Sequence, residues 1–448
     1  MRLWLRRLVF WAGAVVVGAA AILFAKGATE ALRVFSYLYE LSPFIPLALS
    51  PAALVAVLWV TRRFLPGAEG SGIPQTIAAI RRPELADGGM LSLRIAVGKM
   101  GMTLVGLLGG ASIGREGPTV QVGAAIMLAL GRLLRLPKRE LGRSLILAGG
   151  AAGIAGAFNT PLAGVVFAIE EMSRSFEERT SGTVLTTVIV AGIMSLAVLG
   201  DYTYFGHTSA FLTVANGWLP VLVCGVVCGV FGGLFSATLV MFGKGIRRPI
   251  GVWMRRHPLL FAAACGVALA LVGIISDGAT FGTGYDQTRA LLAGETHVTA
   301  SWGLLKMLAT VISYVSGIPG GIFAPSLATG AGLGADIAHW LPSAPAGAVM
   351  ILGMAAYFSG VVQAPITSVT IVMEMTDNQS MTVPLMAVAF IAASVSKLLC
   401  RTPLYKALAE SFLPDEVSPR PAHEHDHDEP DLFLDDHEPS GVAQHREG

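Results

Sequence analysis

The sequence predicts an all-α, polytopic membrane protein built from two repeats of tilted and broken helices. Hydrophobic residues make up 53% of the 448 residues and charged residues only 14%, whereas soluble domains carry about 25% charged residues. Apolar segments recur along the chain, and glycine or proline interrupts several of them. A set of glycines and prolines also recurs in order in the second half. Two halves with interrupted segments at matching places are typical of transporters.

The apolar segments give the order of the expected helices. A basic flank with Arg2, Arg6 and Arg7 precedes an apolar run at 8–25. This run is long for a secretory signal, so we expect a retained first helix whose basic end is cytoplasmic. Several later segments are shorter than the ~20 residues that span a bilayer upright. The complete set of later apolar segments lies at about 43–60, 92–110, 118–134, 144–170, 183–200, 218–243, 258–276, 303–316, 322–340, 346–373 and 383–400.

The composition changes near the C-terminal end. Residues 414–448 are acidic and rich in histidine and proline, which is typical of a disordered tail. We therefore expect a transmembrane domain at 1–413, with repeat halves at about 40–200 and 215–405. All four cysteines lie inside apolar runs, where they suit packing better than a disulfide framework or a zinc site. They are Cys224, Cys228, Cys265 and Cys400.

A repeat relates the two halves. Four residues of the first half recur in order 207 residues later, and two more recur 204 residues later. Glu170 has an equivalent glutamate, Glu374, in the second half, which indicates a structural role. Glu171 aligns with Met375, so this carboxylate is present in one half only, as expected of a functional addition. In a transporter with such halves the ligand lies near the midplane, where broken helices meet. The pairs are Gly110–Gly317, Gly114–Gly321, Pro118–Pro325, Gly123–Gly330, Pro161–Pro365 and Glu170–Glu374.

Three motifs place glycine and proline around a helix start: GSGIP at 70–74, GREGP at 114–118 and GIPGGIFAP at 317–325. A helix N-terminus leaves backbone N–H groups unpaired and carries about half a positive charge. Helix starts that meet in the interior therefore favour an anion site, and partial charges allow the ion to be released. The alternative is that these residues only allow close helix packing. The expected donors are the amides of Gly321, Ile322 and Phe323 and the Ser71 hydroxyl.

Glu116 is an ionisable residue between two apolar segments, where such groups usually face a pathway. A carboxylate among helix-start amides occupies the place of a permeating anion. When ionised it competes with the anion, and when protonated it is neutral and free to move away. The alternative is an interfacial Arg115–Glu116 pair in a loop, without a role in transport.

The motifs GSGIP, GREGP and GGIFAP and the later PLY, in this order, resemble the signature segments of the CLC family of chloride channels and proton-coupled chloride transporters. The stretches FNTPLAGVVFAIEEM and APITSVTIVMEMTDN resemble its members as well. The similarity runs from about Arg62 to Tyr405. It implies a homodimer of α-helical subunits, each with two inverted halves and its own anion pathway.

The resemblance also implies a role for individual residues. Ser71 and Tyr405 would place their hydroxyls at the central anion, beside the Ile322 and Phe323 amides. Glu116 would be the gate, and Glu171 the intracellular proton acceptor. Three alternatives stay open: Ser71 as a helix cap, Tyr405 as an interfacial anchor, and Glu171 with its neighbour as a solvated pair.

The expected function is Cl⁻/H⁺ antiport, because both family carboxylates are present; the alternative is a passive chloride channel. Chloride is the expected anion because Ser71 and Tyr405 are retained, and bromide and nitrate should pass as well. Gln75 and Ile77 stand where some family members carry acids, so the inner proton route differs. The protein is not expected to be an enzyme, to carry a cofactor or a metal, or to bind nucleic acid. Its partners would be chloride, protons, lipid and a second copy, in a bacterial inner membrane.

Short motifs in the sequence also match two other classes of function, a metal-binding or metal-transporting protein and an enzyme. The tail histidines His423, His425 and His427 alternate with acids and would suit a metal-binding or metal-transporting protein, although a solvated charge run explains them as well. HEHDH and GASIG match enzyme motifs formally. The first lies in the tail, and the second, with Ser112, follows an apolar helix instead of a strand. Both are treated as chance matches.

Overall fold

The computed structural model describes residues 2–135, 138–173, 178–200, 204–206, 208, 210–212, 214–246, 249–295 and 299–413. Within these ranges the regular structure is helical, and pairing between extended residues is confined to two isolated β-bridges. The predicted all-α class is therefore confirmed. The tail at 414–448, with the expectations of disorder and metal binding attached to it, lies outside the described residues.

Eighteen α-helices follow one another in the described residues. The first eight are α1 (Arg2–Leu41), α2 (Pro46–Phe64), α3 (Ile73–Arg81), α4 (Leu93–Leu108), α5 (Glu116–Leu133), α6 (Lys138–Phe158), α7 (Pro161–Phe167) and α8 (Glu178–Leu199). The other ten are α9 (Val214–Gly243), α10 (Pro249–Arg256), α11 (Pro258–Ile275), α12 (Tyr285–Ala293), α13 (Trp302–Val315), α14 (Phe323–Trp340), α15 (Ala346–Val362), α16 (Pro365–Thr376), α17 (Thr382–Leu399) and α18 (Leu404–Ala409).

The predicted repeat is visible in the helix boundaries. Helices α5 and α14 each have 18 residues and begin 207 residues apart, and α5 packs on α6 as α14 packs on α15. Gly114 and Gly321, which are equivalent positions, each donate an N–H to the other's carbonyl over 2.7 Å in an antiparallel bridge. Equivalent residues pair reciprocally only where a pseudo-two-fold axis passes between them. The two helix starts meet at this axis, which relates the two predicted halves to each other.

Two of the expected segments each form two helices. The segment at 144–170 divides into α6 and α7, and the segment at 346–373 divides into α15 and α16. Each break lies before a proline, whose ring disfavours helical backbone in the preceding residue. Thr160 has φ −127° and ψ 84°, and Ala364 has φ −124° and ψ 81°. The residue before each of them is left-handed, with φ 59° at Asn159 and 57° at Gln363.

The first helix is longer than expected. The apolar run at 8–25 predicts a single span, but α1 continues to Leu41. The continuation, at 26–41, contains charged residues and is therefore not recognised as part of the apolar segment. Its charges support the helix instead, because Glu30 and Arg33 form an i,i+3 ion pair at 2.8 Å.

Five helices of the described residues are long and apolar enough to cross a bilayer. Large apolar side chains on the outside of several helices are 75% to 84% exposed, as expected of a lipid-facing surface; examples are Leu133, Trp340, Val383 and Leu398. The four cysteines are buried as free thiols, as the sequence predicts. The five helices contain Leu8–Leu41, Pro46–Phe64, Trp218–Gly243, Pro258–Ile275 and Gln379–Leu399.

Candidate anion site

Two β-bridges bring the three glycine motifs together. The Gly114–Gly321 bridge joins GREGP to GGIFAP. A second, parallel bridge joins GSGIP to the same segment, because Gly70 donates to the Ile318 carbonyl at 3.3 Å and accepts from the Gly320 amide at 3.1 Å. The packing at Gly321 is tight, because a Cβ there would lie 3.0 Å from the backbone nitrogen of Gly117. The first and the last of the three motifs are separated by more than 200 residues in the sequence, and all three meet at one place in the fold.

The helix starts at this place have backbone N–H groups that no side-chain cap uses. Helices α3, α5 and α14 begin after Gly72, Arg115 and Ile322, and in this part of the described chain their N-caps make no side-chain capping bond. Gly72 is left-handed, with φ 97°, a conformation that glycine adopts without a steric penalty. Uncapped helix starts that meet in the interior present the positive ends of their dipoles to one another.

One expected donor is engaged elsewhere. The Gly321 N–H is used by the bridge to Gly114, which differs from the expectation that it faces the anion. The next two amides, of Ile322 and Phe323, have no backbone acceptor within the described residues. The side chain of Phe323 is fixed by neighbouring rings, with centroids 4.8 Å away at Phe358 and 5.8 Å away at Tyr405. These rings hold the start of α14 in an apolar surrounding.

Glu116 lies at the start of α5 and is fully buried. Its carboxylate faces the backbone amide of Ala324 on α14 and the amides of Arg115 and Glu116 itself, yet neither oxygen completes a hydrogen bond within the described residues. It also lies against Gly114, where a Cβ would come within 2.2 Å of Oε2. Since Arg115 is also buried, at 8% exposure, this is not an interfacial pair in a loop.

Ser71 and Tyr405 converge on the same place. Both are buried, and their hydroxyls face each other without completing a hydrogen bond to any described residue. The N-cap of α3 is Gly72 and not Ser71, so the geometry gives no support to Ser71 as a cap. Burial likewise gives no support to Tyr405 as an interfacial anchor. Two buried hydroxyls in this arrangement suit a desolvated anion, which needs donors in place of water.

Glu171 and its neighbour have different surroundings. Glu171 lies in a single π-helical turn, Ala168–Ser173, and is 2% exposed. It is therefore not part of a solvated pair. Tyr405 lies within electrostatic reach of both Glu171 and Glu116.

Glu170 caps a helix of the other half. Its carboxylate accepts from the Ile366 amide at 3.2 Å and from the Thr367 amide and hydroxyl at 2.6 and 2.7 Å, at the start of α16. The repeat-related Glu374 accepts from the Leu162 and Ala163 amides at 3.1 and 2.7 Å, at the start of α7. The structural role predicted for Glu170 from its pairing with Glu374 is confirmed.

Comparisons with known proteins show the family and the fold of this chain. The sequence model of the voltage gated chloride channel family matches residues 52–397. The chain belongs to this family. Its CLC fold resembles a slow cyanobacterial Cl⁻/H⁺ antiporter at 24% identity and a TM-score of 0.77, with coverage of 91% of this chain and 98% of the other.

Two further solved CLC structures are similar. A CLC-type fluoride/proton antiporter shares 26% identity at a TM-score of 0.73, with coverage of 88% of this chain and 96% of the other. A eukaryotic CLC transporter shares 18% identity at a TM-score of 0.75, with coverage of 92% and 75%. The CLC resemblance carried by the sequence motifs is thus confirmed, and the chain is a multi-pass membrane protein of an anion-transporting family.

Two buried lysines of this CLC chain escaped the sequence reasoning. Lys99 is fully buried, with its Nζ 2.7 Å from Gln121 Oε1 and 3.5 Å from the Glu69 carbonyl. Lys306 is also fully buried and donates to the Thr280 and Gly282 carbonyls at 2.9 and 2.7 Å. They lie 207 residues apart, the spacing that relates Gly114 to Gly321. That shared spacing was the signal that could have found them.

The formal enzyme and metal motifs gain no support. Ser112 is buried; its amide donates to Ser313 Oγ and its hydroxyl bonds with Thr310 Oγ1, both at 2.9 Å. It follows α4, whereas a nucleophile elbow follows a strand. Over the described ranges, no cluster of three or more His, Cys, Asp or Glu side chains could hold a metal ion. The tail histidines lie outside these ranges.

Proposed function

We propose that this CLC protein exchanges chloride for protons, with Glu116 as the gate of the anion pathway. The observation that carries the proposal is the burial of this carboxylate beside the helix start that bears the Ile322 and Phe323 amides. An ionised carboxylate repels an anion and takes its donors, whereas a protonated one is neutral and releases them. One side chain therefore couples chloride occupancy to proton binding.

The proposed chloride site uses partial charges. The Ile322 and Phe323 amides, aligned with the dipole of α14, contribute about half a positive charge, and the Ser71 and Tyr405 hydroxyls complete the donor set. These groups replace the water that chloride loses on entering the interior. Because partial charges contribute most of the attraction, the ion is bound and is also able to leave.

The proposed proton route begins at Glu171. Its burial and the position of Tyr405, within electrostatic reach of Glu171 and of Glu116, support a transfer between these carboxylates from the cytoplasmic side. A passive chloride channel is the second candidate. Gln75 favours it, because an amide stands beside GSGIP where a carboxylate would assist proton entry.

Chloride is the proposed substrate because both hydroxyl donors are present, and bromide and nitrate should share the pathway. We also propose a homodimer in a bacterial inner membrane. The donors from Ser71 to Tyr405 all come from one chain, so each subunit would have its own pathway. In this proposal the protein is not an enzyme and uses no cofactor.

The test is simultaneous measurement of chloride and proton flux. Purified protein is reconstituted in liposomes with a chloride gradient, and external chloride and pH are recorded together. Antiport predicts proton movement that opposes the gradient and is coupled to chloride. Glu116→Gln should retain chloride flux and lose proton movement, and Glu171→Gln should lose proton movement alone. Chloride flux without proton movement in the unmodified protein would establish the channel instead.

A further inference from the structure

A cavity of about 450 Å³ leads toward Ser71 from one side of the protein. Its rim carries Arg62 and Arg255. Each of them stands next to a second arginine, Arg63 or Arg256, and such basic clusters beside apolar segments favour the cytoplasmic side. We call it the inner cavity, and Ser71 lies at its inner end. Under the proposed function, an anion that moves between the cytoplasm and Ser71 would pass through it.

Glu69 lines the inner cavity two residues before Ser71. Among the described residues that line the cavity, Glu69 is the one acidic residue, and its side chain is half-buried. Its Oε2 accepts from the Gly67 amide at 2.8 Å. Its carbonyl accepts from Gln75 Nε2 at 2.6 Å, so the loop that carries the carboxylate is held on both sides.

Charged groups of several elements surround this carboxylate. Lys99 of α4 and Tyr314 of α13 lie within its electrostatic reach. Arg62 of α2 and Arg255 of α10 lie on the rim, where Arg255 also donates to the Ile246 carbonyl at 3.2 Å. Glu410 lies in the chain between the lining residues Leu408 and Ser411 and pairs with Lys244 at 3.3 Å.

We propose that Glu69 is an electrostatic control point that weakens chloride binding from the cytoplasmic side and speeds chloride release into the cytoplasm. Its negative charge opposes an anion in the last part of the path before Ser71, while the rim arginines attract the anion from bulk solution. The consequence is asymmetry: the KM for cytoplasmic chloride is higher than it would be with a neutral residue, and the KM at the opposite face is unchanged. The inference rests on chloride transport and does not depend on proton coupling.

The test compares chloride flux of the full-length protein in liposomes of known orientation. Glu69→Gln keeps an oxygen for the Gly67 amide and removes the charge. It should lower the KM for cytoplasmic chloride by about threefold to tenfold, the size expected for one unit charge several ångströms from the ion in a partly hydrated cavity. Adding an inert salt of an impermeant anion should shrink this difference. Glu69→Asp should leave the KM near that of the unmodified protein.

Glu410→Gln is the matched control, because it removes a carboxylate at the same face that is exposed and paired. An unchanged or higher KM for cytoplasmic chloride in Glu69→Gln would overturn the inference, and so would an equal effect of Glu410→Gln. If Glu69→Gln folds poorly, Glu69→Cys is modified after reconstitution, since the four native cysteines are buried. A negative thiol reagent should then restore the high KM and a positive one should lower it. Equal effects of the two reagents would also overturn the inference. Absence of chloride flux in every protein would instead refute the proposed function.

Discussion

The exchange of helix caps between the halves gives a prediction that can be worked from distances. Glu374 receives two amides of α7, at 3.1 and 2.7 Å. Glu170 receives three donors of α16, at 3.2, 2.6 and 2.7 Å. Replacing either glutamate by alanine leaves helix-start amides without an acceptor and removes a charge that complements a helix dipole.

The magnitude follows from the number of bonds. A hydrogen bond to a charged group contributes about 1.5–3 kcal/mol, against about 0.5–1.5 kcal/mol for a neutral pair. Both glutamates are half-buried, so water replaces part of the loss. We expect Glu374→Ala to lower the free energy of unfolding by about 1.5–3 kcal/mol, and Glu170→Ala by about 2–4 kcal/mol because it loses a third donor. The glutamine variants keep one acceptor oxygen and should lose about 1–2 kcal/mol each.

The assay is thermal unfolding in one detergent, followed by intrinsic fluorescence. A chain of this length shifts its Tm by about 2 °C or less per kcal/mol, so the alanine variants should lose several degrees. Glu30→Gln is the control, because Glu30 pairs with Arg33 on the surface of α1 at 59% side-chain exposure and should change the Tm little. Unchanged Tm values in both alanine variants, together with lost transport, would refute a structural role for the caps.

Two further predictions concern the proposed site. Gly117→Ala places a Cβ 2.2 Å from Ser71 Oγ, so chloride binding measured by calorimetry should weaken by about tenfold or more. Gly101→Ala is the control, because its Cβ meets open space, and it should leave chloride binding unchanged. Chloride affinity should rise as the pH falls, because protonation of Glu116 removes the competing charge, and Glu116→Gln should bind chloride with little dependence on pH. A Glu116→Gln protein that keeps the full pH dependence would place the competing group elsewhere.

The sequence predicted those parts of the fold that depend on local backbone chemistry. Glycine permits backbone angles that other residues avoid and proline fixes φ, so the starts of α3, α5 and α14 could be located from GSGIP, GREGP and GGIFAP. The same residues reported the repeat. The extension of α1 to Leu41 was missed, because its charged residues end the apolar pattern without ending the helix.

Contacts between distant segments were less accessible to sequence reasoning. The use of the Gly321 amide by Gly114 depends on a bridge between residues 207 positions apart, which no local pattern specifies. The burial of Lys99 and Lys306 was missed for a related reason. A lysine in an apolar segment usually reaches the surface, and only the fold brings carbonyl acceptors, such as that of Gly282, to its ammonium group.

The pseudo-two-fold axis accounts for the location of the proposed site and for the direction of transport proposed for it. Equivalent residues meet only at the axis, so Gly114 and Gly321 pair there and the starts of α5 and α14 face each other. A symmetric pair of helix starts provides backbone amide donors from both halves, but it does not distinguish one direction of transport from the other. The symmetry is broken two residues further on, because Glu116 is the repeat equivalent of Phe323. One half thus contributes the carboxylate that is proposed to exchange a proton, and the other contributes an aromatic side chain beside the amides that are proposed to bind the ion. Glu171, whose equivalent is Met375, breaks the symmetry a second time on the proposed proton route. Coupling two different ions across one axis requires such differences between the halves, and Glu116 and Glu171 supply two of them, at the positions where protons are proposed to bind.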